Sequence, residues 1–214
     1  MKIYIVRHGE TMANVKGLMQ GQSESELTDT GKLLAVETGK GLANIKFDAA
    51  FSSPLRRTKA TIKLILKENN NSIPNIIYDD RLKEINLGLW EMKGFSGKNP
   101  DIDPALIKSF FTDPFSFGNP YQGESTTEVI SRTKDFLNSL AKENYENVLV
   151  VSHGYAIRAM LNFLYANPSD FWQGKIPYNC CVNIIEFKND EFKFIAKDKI
   201  YYDPNILVDH YKIR

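Results

Sequence analysis

The sequence predicts an α/β protein of three layers, in which a mostly parallel central sheet is flanked by helices. Short apolar runs alternate with longer stretches of helical hydrophobic periodicity along the whole chain. The 214 residues are 43% hydrophobic and 25% charged, which is enough apolar material for one sizeable core. We therefore expect a single domain over residues 1–214, with a lid-like insertion near residues 94–123 and a C-terminal hairpin.

The first half of the chain predicts three strands and two helices. One helix is expected over residues 27–42, with Thr28 as its N-cap. A second is expected to begin at Ser53-Pro54, because proline at the first helical position loses no needed hydrogen bond. The strands are expected at residues 3–6, 49–52 and 75–78.

The second half opens with the insertion, which is rich in Gly, Pro, Ser and Asn and contains one weak helix at 104–112. Residues 125–128 form a capping box, so a helix is expected to start there. The remaining elements are a strand at 148–151, a helix at 156–165 and a hairpin of strands 181–187 and 192–197.

Charge and cysteine usage exclude several classes of partner. Lys and Arg total 27 against 26 Asp and Glu, so no positive surplus favours nucleic acid. The two cysteines are the neighbours Cys180 and Cys181, which cannot cross-link distant segments. The chain has neither a signal-peptide pattern nor an apolar run long enough for a membrane span. We expect a cytoplasmic protein without membrane or nucleic-acid partners, and a homodimer stays open.

Polar side chains cluster where three predicted strands end. Arg7-His8-Gly9 follows the first strand, Arg57 lies five residues after the second, and His153-Gly154 follows the fourth. In open α/β sheets, ligands bind beyond the carboxyl ends of the strands. Two histidines and two arginines there would form a positive pocket for a dianion, and guanidinium groups match phosphate oxygens in geometry. The helix expected at Ser53-Pro54 would add its positive dipole end.

A lone histidine after a strand is more often a packing residue than a catalyst. Two histidines that each follow a predicted strand and precede a glycine, His8 and His153, favour a functional site instead. A metal site built from His8, Glu84 and His153 is the first rival. The flanking arginines would repel a cation, and no metal-ligand spacing supports such a site. The chain also lacks a Gly-x-Ser-x-Gly elbow, a complete Walker loop and a cysteine-phosphatase loop. A histidine nucleophile remains.

These motifs resemble those of the histidine phosphatase superfamily, also called the phosphoglycerate mutase-like family. The first is Arg7-His8-Gly9-Glu10-Thr11 with Asn14 after it, and the resemblance extends along most of the chain. Thr58, Asn86 and Met92 depart from the usual forms of their motifs. The other matching segments are Gln20-Gly21, Ser53-x-Leu55-x-Arg57, residues 82–91 around Glu84, Gly123-Glu124-Ser125 and Ser152-His153-Gly154.

The resemblance implies a mechanism. His8 would attack phosphorus in its neutral form, with its other ring nitrogen fixed by a hydrogen bond, expected to a backbone carbonyl. Glu84 would protonate the leaving oxygen and then activate water, for which its pKa must be raised. Arg7, Arg57 and His153 would hold the equatorial phosphate oxygens. Further phosphate or substrate contacts are expected from Asn14, Gln20, Gly21 and Gly154.

The expected activity is that of a histidine acid phosphatase-type phosphoric monoester hydrolase, acting without metal or cofactor on a small phosphorylated metabolite. The alternative is a cofactor-dependent phosphoglycerate mutase, which would need a 2,3-bisphosphoglycerate primer. The mutase is disfavoured because residues 91–123 contain three lysines and no arginine. A non-catalytic phospho-ligand sensor is a third option, although a mere binder has no need of Glu84 as proton donor.

The aromatic residues of the insertion have two interpretations. They could line a substrate lid, or they could form the lid's own small core, which we favour. Trp90 is expected to pack, and His210 is expected to be a surface residue. The aromatic group consists of Phe110, Phe111, Phe115, Phe117 and Tyr121.

Overall fold

The computed structural model describes residues 1–95, 100–116 and 122–206. Within them, six strands form one mixed sheet in the order β3-β2-β4-β1-β5-β6. The strands are β1 Lys2–Arg7, β2 Ala49–Ser52, β3 Ile76–Tyr78, β4 Asn147–Ser152, β5 Val182–Lys188 and β6 Glu191–Lys199. The α-helices are α1 Met12–Val15, α2 Asp29–Gly41, α3 Arg56–Lys67, α4 Pro104–Thr112, α5 Thr126–Leu140 and α6 Gly154–Leu161.

The first four strands of that order run parallel, as predicted. β5 runs antiparallel to β1 and pairs with β6 in a terminal hairpin, so the sheet is mixed. In the register, Arg7 lies opposite Ser152, and Ser52 lies opposite Val151. The carboxyl ends of β1, β2 and β4 therefore meet at one edge of the sheet.

Helices cover both faces of the sheet, which gives the three predicted layers. Because strand side chains alternate between faces, Ile3 and Ile5 pack with α5 and α6, whereas Tyr4 and Val6 pack with α3 and with Leu42, which follows α2. The apolar runs of β1 and β4 are buried throughout, as expected for strands covered on both sides.

Several predicted helix starts are in place. Thr28 caps α2, its hydroxyl accepting a hydrogen bond from the Gly31 backbone N–H. The capping box at Ser125 begins α5, where Ser125 and Glu128 satisfy each other's backbone N–H groups. α2 itself begins at Asp29, two residues later than the periodicity predicted.

The predicted start of the second helix at Ser53-Pro54 was wrong. α3 begins at Arg56, and its N-cap Leu55 has extended backbone. Local preference is overridden because the Ser53 side chain is hydrogen-bonded to His153 and the Ser53 carbonyl to the Thr58 hydroxyl. The positive end of α3 therefore lies at Arg56 and Arg57, rather than at Ser53.

Other boundaries also differ. The helix predicted over 156–165 begins at Gly154, and its α-helical part ends at Leu161, after which residues Asn162–Leu164 form a 3₁₀ turn. The four-residue α1 was not predicted, because it is held by a capping box between Thr11 and Asn14 rather than by apolar periodicity. Within the described residues, no helix has the length and apolar character to traverse a bilayer.

The insertion contributes α4, at the predicted bounds, to a second apolar cluster over the carboxyl edge of the sheet. Ile107 and Phe110 of α4 are buried there beside Tyr155 and Phe171. Trp90 is buried in the same cluster, as predicted. Phe117, Tyr121 and His210 lie outside the described residues.

Candidate active site

The site forms where β1, β2 and β4 end, and backbone hydrogen bonds lock these ends together. The His8 N–H donates to the Ser152 carbonyl at 3.0 Å, and the Ser53 N–H donates to the Val151 carbonyl at 3.0 Å. The rings of His8 and His153 consequently lie side by side, with centroids 5.3 Å apart. The structure therefore brings together the two histidines that the sequence placed at separate strand ends.

His8 is almost fully buried, and its Nδ1 lies 2.7 Å from the Gly9 carbonyl oxygen. Since a carbonyl only accepts, Nδ1 carries the proton in the neutral ring and Nε2 has the free lone pair. Burial lowers the pKa of His8 well below its usual value, and the charges of Arg57 and Arg7 lower it further. The structure thus holds His8 as a neutral imidazole with a defined nucleophilic atom.

His153 is fully buried, and both of its ring nitrogens are engaged. Nδ1 accepts from Arg57 Nε at 3.1 Å, and Nε2 lies 2.8 Å from Ser53 Oγ. Accepting at Nδ1 places the proton of the neutral ring on Nε2, which then donates to Ser53. Burial, followed by the charge of Arg57, lowers the pKa of His153 well below its usual value. The contact of His153 with a phosphate oxygen stays a prediction, whereas its hydrogen bond with Arg57 is present in the structure.

Two backbone carbonyls fix the Arg57 guanidinium. Nη2 donates to the Gly21 carbonyl at 2.5 Å, and Nη1 donates to the Ser23 carbonyl at 2.9 Å. Gly21 was predicted to contact phosphate, and the structure uses its carbonyl to position Arg57. A Cβ at Gly21 would lie 2.2 Å from Glu91 Oε1 and 2.5 Å from the Ile85 carbonyl oxygen, so only glycine fits.

Glu91 holds the loop that carries these carbonyls, a role that sequence reasoning missed. Its Oε1 accepts from the Gln22 N–H at 2.8 Å, and its Oε2 accepts from the Ser23 N–H at 3.0 Å and the Ser23 hydroxyl at 2.6 Å. Oε1 also accepts from the Leu87 N–H at 3.1 Å. The only signal in the sequence was that Glu91 ends the segment around Glu84.

We expect Glu91→Gln to lower kcat/KM by about 10-fold and to weaken inhibition by vanadate, because an amide presents only one acceptor atom and Arg57 loses its support. Steady-state kinetics and vanadate titration measure both effects. Glu37→Gln, at a surface pair with Lys40, is the matched control and should change neither. Unchanged vanadate affinity in Glu91→Gln would contradict the role of this loop.

Arg7 and Gly154 lie close together at the start of α6. Arg7 is buried, and its Nη1 donates to the Pro177 carbonyl. Gly154 lies beside the Arg7 guanidinium at the start of α6, where a Cβ would make ordinary van der Waals contact with Arg7 Nε at 3.4 Å. Gly154 lines the cleft with Arg7, and its predicted contact with phosphate or substrate stays a prediction.

Asn14 and Gln20 lie near the site but are held by protein groups. Asn14 Oδ1 accepts from the Thr11 N–H at 3.1 Å, and Asn179 Nδ2 donates to the His8 carbonyl at 3.0 Å beside it. Gln20 Oε1 accepts from the Thr11 hydroxyl at 2.8 Å. Their predicted substrate contacts stay predictions.

Glu84 is buried, and its carboxyl group faces three backbone N–H donors. Oε1 accepts from Ile85 at 3.0 Å and Ala156 at 2.9 Å, and Oε2 accepts from Tyr155 at 3.1 Å. Tyr155 and Ala156 belong to the first turn of α6. Burial raises the pKa of Glu84, although Arg57 and the three N–H groups oppose the increase. The raised pKa is what a proton donor near neutral pH needs.

Arg132 and Glu124 fix the chain around Glu84, and no motif or periodicity indicated this role for Arg132. Arg132 Nη1 donates to the Lys83 carbonyl at 2.6 Å, and its Nη2 donates to the Glu84 carbonyl at 3.0 Å. Glu124 pairs with Arg132 at 2.8 Å and accepts from the Asn86 N–H at 2.8 Å. The Arg132–Glu124 ion pair therefore holds the backbone of the segment that carries Glu84.

The lowered histidine pKa values predict that acid destabilises the protein. Below about pH 6.5, His8 and His153 are protonated in the unfolded chain but not in the folded protein. The free energy of unfolding therefore decreases as the pH is lowered, by up to about 1.4 kcal/mol per pH unit for each histidine. Glu84, with a raised pKa, has the opposite sign. The comparison of wild type with His8→Asn is therefore the readout.

Denaturant unfolding at pH 7.5, 6.5 and 5.5 measures this dependence. The decrease in unfolding free energy should be smaller in His8→Asn than in wild type, because one of the two titrating groups is gone. Equal pH dependence in both proteins would contradict the lowered pKa of His8.

A cleft of about 450 Å³, part of it open to solvent, adjoins these residues. Its lining includes the polar group Arg7 and Glu84 with Gly154, and the aromatic residues Phe110, Phe111 and Trp172. Phe110 and Phe111 therefore both pack in the apolar cluster and line the cleft, so the two interpretations of the insertion aromatics are not exclusive. Phe115 packs instead on Phe171, with ring centroids 5.9 Å apart.

The chain is similar to proteins described as phosphoglycerate mutases and as phosphatases. A protein from Proteus mirabilis described as "Probable phosphoglycerate mutase GpmB" is 32% identical over 88% of this chain and 86% of its own. The "Metal-independent phosphoserine phosphatase" of Arabidopsis thaliana is 32% identical over 89% of this chain and 78% of its own. The structure of Bacillus stearothermophilus YhfR matches with a TM-score of 0.82 and 31% identity, covering 93% and 97% of the two chains.

The family model for "Histidine phosphatase superfamily (branch 1)" matches residues 3–198, which is most of the chain and includes every predicted site residue. The chain therefore belongs to branch 1 of the histidine phosphatase superfamily.

Proposed function

We propose that this protein is a metal-independent phosphomonoesterase that acts through a phosphohistidine at His8 on a small phosphorylated metabolite. The observation that carries the proposal is the state of His8. Its Nδ1 is hydrogen-bonded to the Gly9 carbonyl, and burial and the charges of the buried Arg57 and Arg7 lower its pKa. A neutral imidazole beside two guanidinium groups is suited to attack on a phosphate dianion.

In the first half-reaction, His8 Nε2 forms a bond to phosphorus while the bond from phosphorus to the leaving oxygen breaks. Arg7 and Arg57 stabilise charge on the equatorial oxygens, and both are held in advance by backbone carbonyls. Glu84 gives its proton to the leaving oxygen. Both Glu84 oxygens accept hydrogen bonds from backbone N–H groups in the first turn of α6. The acidic proton is therefore directed away from α6.

In the second half-reaction, the Glu84 carboxylate takes a proton from water, and the water oxygen attacks phosphorus. The bond from phosphorus to Nε2 breaks, inorganic phosphate leaves, and Glu84 regains its proton. Because Glu84 gives its proton to the leaving oxygen in the first step, it is already the ionised carboxylate that the second step needs.

The surroundings of the histidines support a reaction without a metal ion. His8 Nδ1 and both nitrogens of His153 are hydrogen-bonded to protein groups, and the positive charges of Arg57 and Arg7 act on both rings. A divalent cation would have to displace these bonds and would be repelled by the guanidinium charges.

The alternative is a cofactor-dependent phosphoglycerate mutase, which the name of the Proteus mirabilis relative favours. Such an enzyme must also bind a second charged group on the substrate. Arg7 is the one cationic residue that lines the cleft among the described residues, and this supports the phosphatase. A non-catalytic sensor is disfavoured by the raised pKa of Glu84, which a binding protein does not need.

The test is release of phosphate from 4-nitrophenyl phosphate by the purified protein, with and without EDTA. We expect turnover that EDTA leaves unchanged. Loss of activity with EDTA would contradict metal independence, and no turnover at all would favour the sensor. Interconversion of 3- and 2-phosphoglycerate that depends on added 2,3-bisphosphoglycerate, faster than hydrolysis, would favour the mutase.

A further inference from the structure

The peptide group that joins His8 to Gly9 is held at both ends by side chains from distant parts of the chain. Its carbonyl oxygen, on His8, accepts a hydrogen bond from Asn179 Nδ2 at 3.0 Å. Its N–H, on Gly9, donates to the Thr61 hydroxyl at 2.9 Å. Because the carbonyl oxygen and the N–H of a planar trans peptide point in opposite directions, Asn179 and Thr61 hold this peptide group from opposite sides.

Thr61 is fully buried in α3, and its hydroxyl group is used twice. It donates to the Arg57 carbonyl at 2.7 Å, one helical turn back, and accepts from the Gly9 N–H. A hydroxyl group has one hydrogen and two lone pairs, so both bonds form together. Thr61 therefore ties the His8–Gly9 peptide to the helix that carries Arg57.

Asn179 is buried, and its amide nitrogen faces two acceptors. These are the His8 carbonyl oxygen and, at 3.4 Å, Asn14 Oδ1. Because Asn14 Oδ1 also accepts from the Thr11 N–H at 3.1 Å, the hydrogen-bond network requires Asn179 to present its NH₂ group here. The Tyr202 hydroxyl donates to the Asn179 carbonyl at 2.6 Å, which fixes the backbone behind this amide.

The residue after Asn179 has a backbone conformation that is uncommon for a cysteine. Cys180 has a φ of 56°, in the left-handed region. In this conformation its N–H donates to the Arg7 carbonyl at 3.1 Å and to the His8 carbonyl at 3.4 Å. Non-glycine residues persist in this region only where their surroundings hold them, often at functional sites. The turn therefore places two donors, the Asn179 amide and the Cys180 N–H, against the backbone of the nucleophile.

The orientation of the His8–Gly9 peptide bears on the state of the His8 ring. His8 Nδ1 donates to the Gly9 carbonyl at 2.7 Å. Glycine has wide dihedral freedom, so this carbonyl stays in place only where the preceding peptide is anchored. Without that acceptor, the proton of the neutral ring would also occupy Nε2, the atom that must attack phosphorus.

From these contacts we infer that Asn179 and Thr61 are positioning residues for the nucleophile. By holding the His8–Gly9 peptide at its carbonyl and its N–H, they keep the Gly9 carbonyl at Nδ1 and the lone pair of Nε2 free for phosphorus. The inference rests on the proposed function, because it concerns how His8 stays nucleophilic. Loss of either side chain should therefore change the tautomer of His8 and slow the reaction.

Thr61→Val replaces the hydroxyl with a methyl group of similar size, so the Gly9 N–H loses its acceptor. We expect kcat/KM for 4-nitrophenyl phosphate to fall about 10-fold. The inhibition constant of inorganic phosphate should stay within about 2-fold, because both guanidinium groups are untouched. Thr61→Ser keeps the hydroxyl and should restore most of the lost activity. Thr133→Val is the matched control, since Thr133 is equally buried and donates to the Val129 carbonyl one turn back, but lies in α5.

Asn179→Leu tests the other end of the peptide. Leucine has the same branched shape as asparagine but no donor, so kcat/KM should again fall about 10-fold. Asn162→Leu is its control, because Asn162 Nδ2 donates to the Pro168 carbonyl at 2.9 Å in a similar bond away from the site. This control should keep the kcat/KM of the wild type. Circular dichroism checks each fold, and if one variant does not fold, the variant at the other end carries the test.

The direct readout is the tautomer of His8, which a purely structural substitution leaves unchanged. Nitrogen-15 NMR distinguishes protonated ring nitrogens from those with a free lone pair, and His8→Asn assigns the His8 signals. In the wild type and both controls, Nδ1 should carry the proton. Thr61→Val and Asn179→Leu should show an additional form protonated at Nε2.

His8 signals that stay unchanged in Thr61→Val and Asn179→Leu, whatever their rates, would overturn the inference and leave the phosphatase intact. A changed tautomer with the kcat/KM of the controls would equally overturn a role in the reaction. If the wild type hydrolyses no ester, the proposed function fails, and the NMR comparison still reports whether these two side chains set the tautomer.

Discussion

Replacing His8 with alanine is expected to reduce kcat by at least about 10⁴-fold, because no other described group at the site offers a free nitrogen to phosphorus. His153, the nearest imidazole, has both nitrogens engaged by Arg57 and Ser53. Initial rates with 4-nitrophenyl phosphate measure the effect, and circular dichroism checks the fold.

His8→Asn is the companion variant, since its amide retains a polar group near the Gly9 carbonyl. It should be as inactive as His8→Ala. A rate within about 10-fold of wild type in either variant would remove His8 as the nucleophile.

The second large effect is expected for Glu84→Gln. The amide cannot supply a proton to the leaving oxygen or accept one from water, so kcat should fall by about 10²- to 10⁴-fold. The loss should be greater for benzyl phosphate than for 4-nitrophenyl phosphate, because nitrophenolate leaves readily without protonation. The ratio of the two losses separates proton donation from simple damage to the site.

The pH profile gives a second readout for Glu84. Because its pKa is raised, the protonated form needed in the first step persists above the range of an ordinary carboxyl, and kcat/KM should decline as pH rises through that value. Glu84→Gln should lose this basic limb. An equal loss for both esters, with the basic limb unchanged, would show that Glu84 is not the proton donor.

Much of the site could be predicted because strand ends impose its geometry. Once β1 and β4 are parallel neighbours, His8 and His153 must emerge at the same edge of the sheet. The need for a neutral nucleophile likewise predicted a bond from His8 to a backbone carbonyl, and Gly9 supplies it. These features follow from local sequence and from chemistry.

The residues that the sequence did not predict act across long separations. Glu91 supports Ser23 from 68 positions away, and Arg132 binds the Glu84 carbonyl from 48 positions away. Glu91 ends the motif around Glu84, but nothing in that motif indicates its contact with Ser23, and Arg132 has no motif or periodic signal. The start of α3 was missed for the same reason, since a bond between Ser53 and His153, 100 residues apart, outweighs the local preference of Pro54.

The aromatic residues that line the cleft, Phe110, Phe111 and Trp172, show how one set of residues serves two purposes. Phe110 is buried in the apolar cluster and also lines the cleft, so the sequence could not separate a lid core from a substrate surface. Trp172 also lines the cleft but lies outside the insertion, so no spacing within residues 94–123 could indicate its position.

The central claim is that phosphate passes through a covalent bond to His8. Its most direct test is to quench the enzyme with base during turnover, under conditions in which phosphohistidine survives, and to map the phosphoryl group by peptide mass spectrometry. The account predicts one phosphoryl group, labile to acid, on the peptide that contains His8, and more of it in Glu84→Gln. A phosphoryl group on another residue, or none while hydrolysis proceeds, would contradict it.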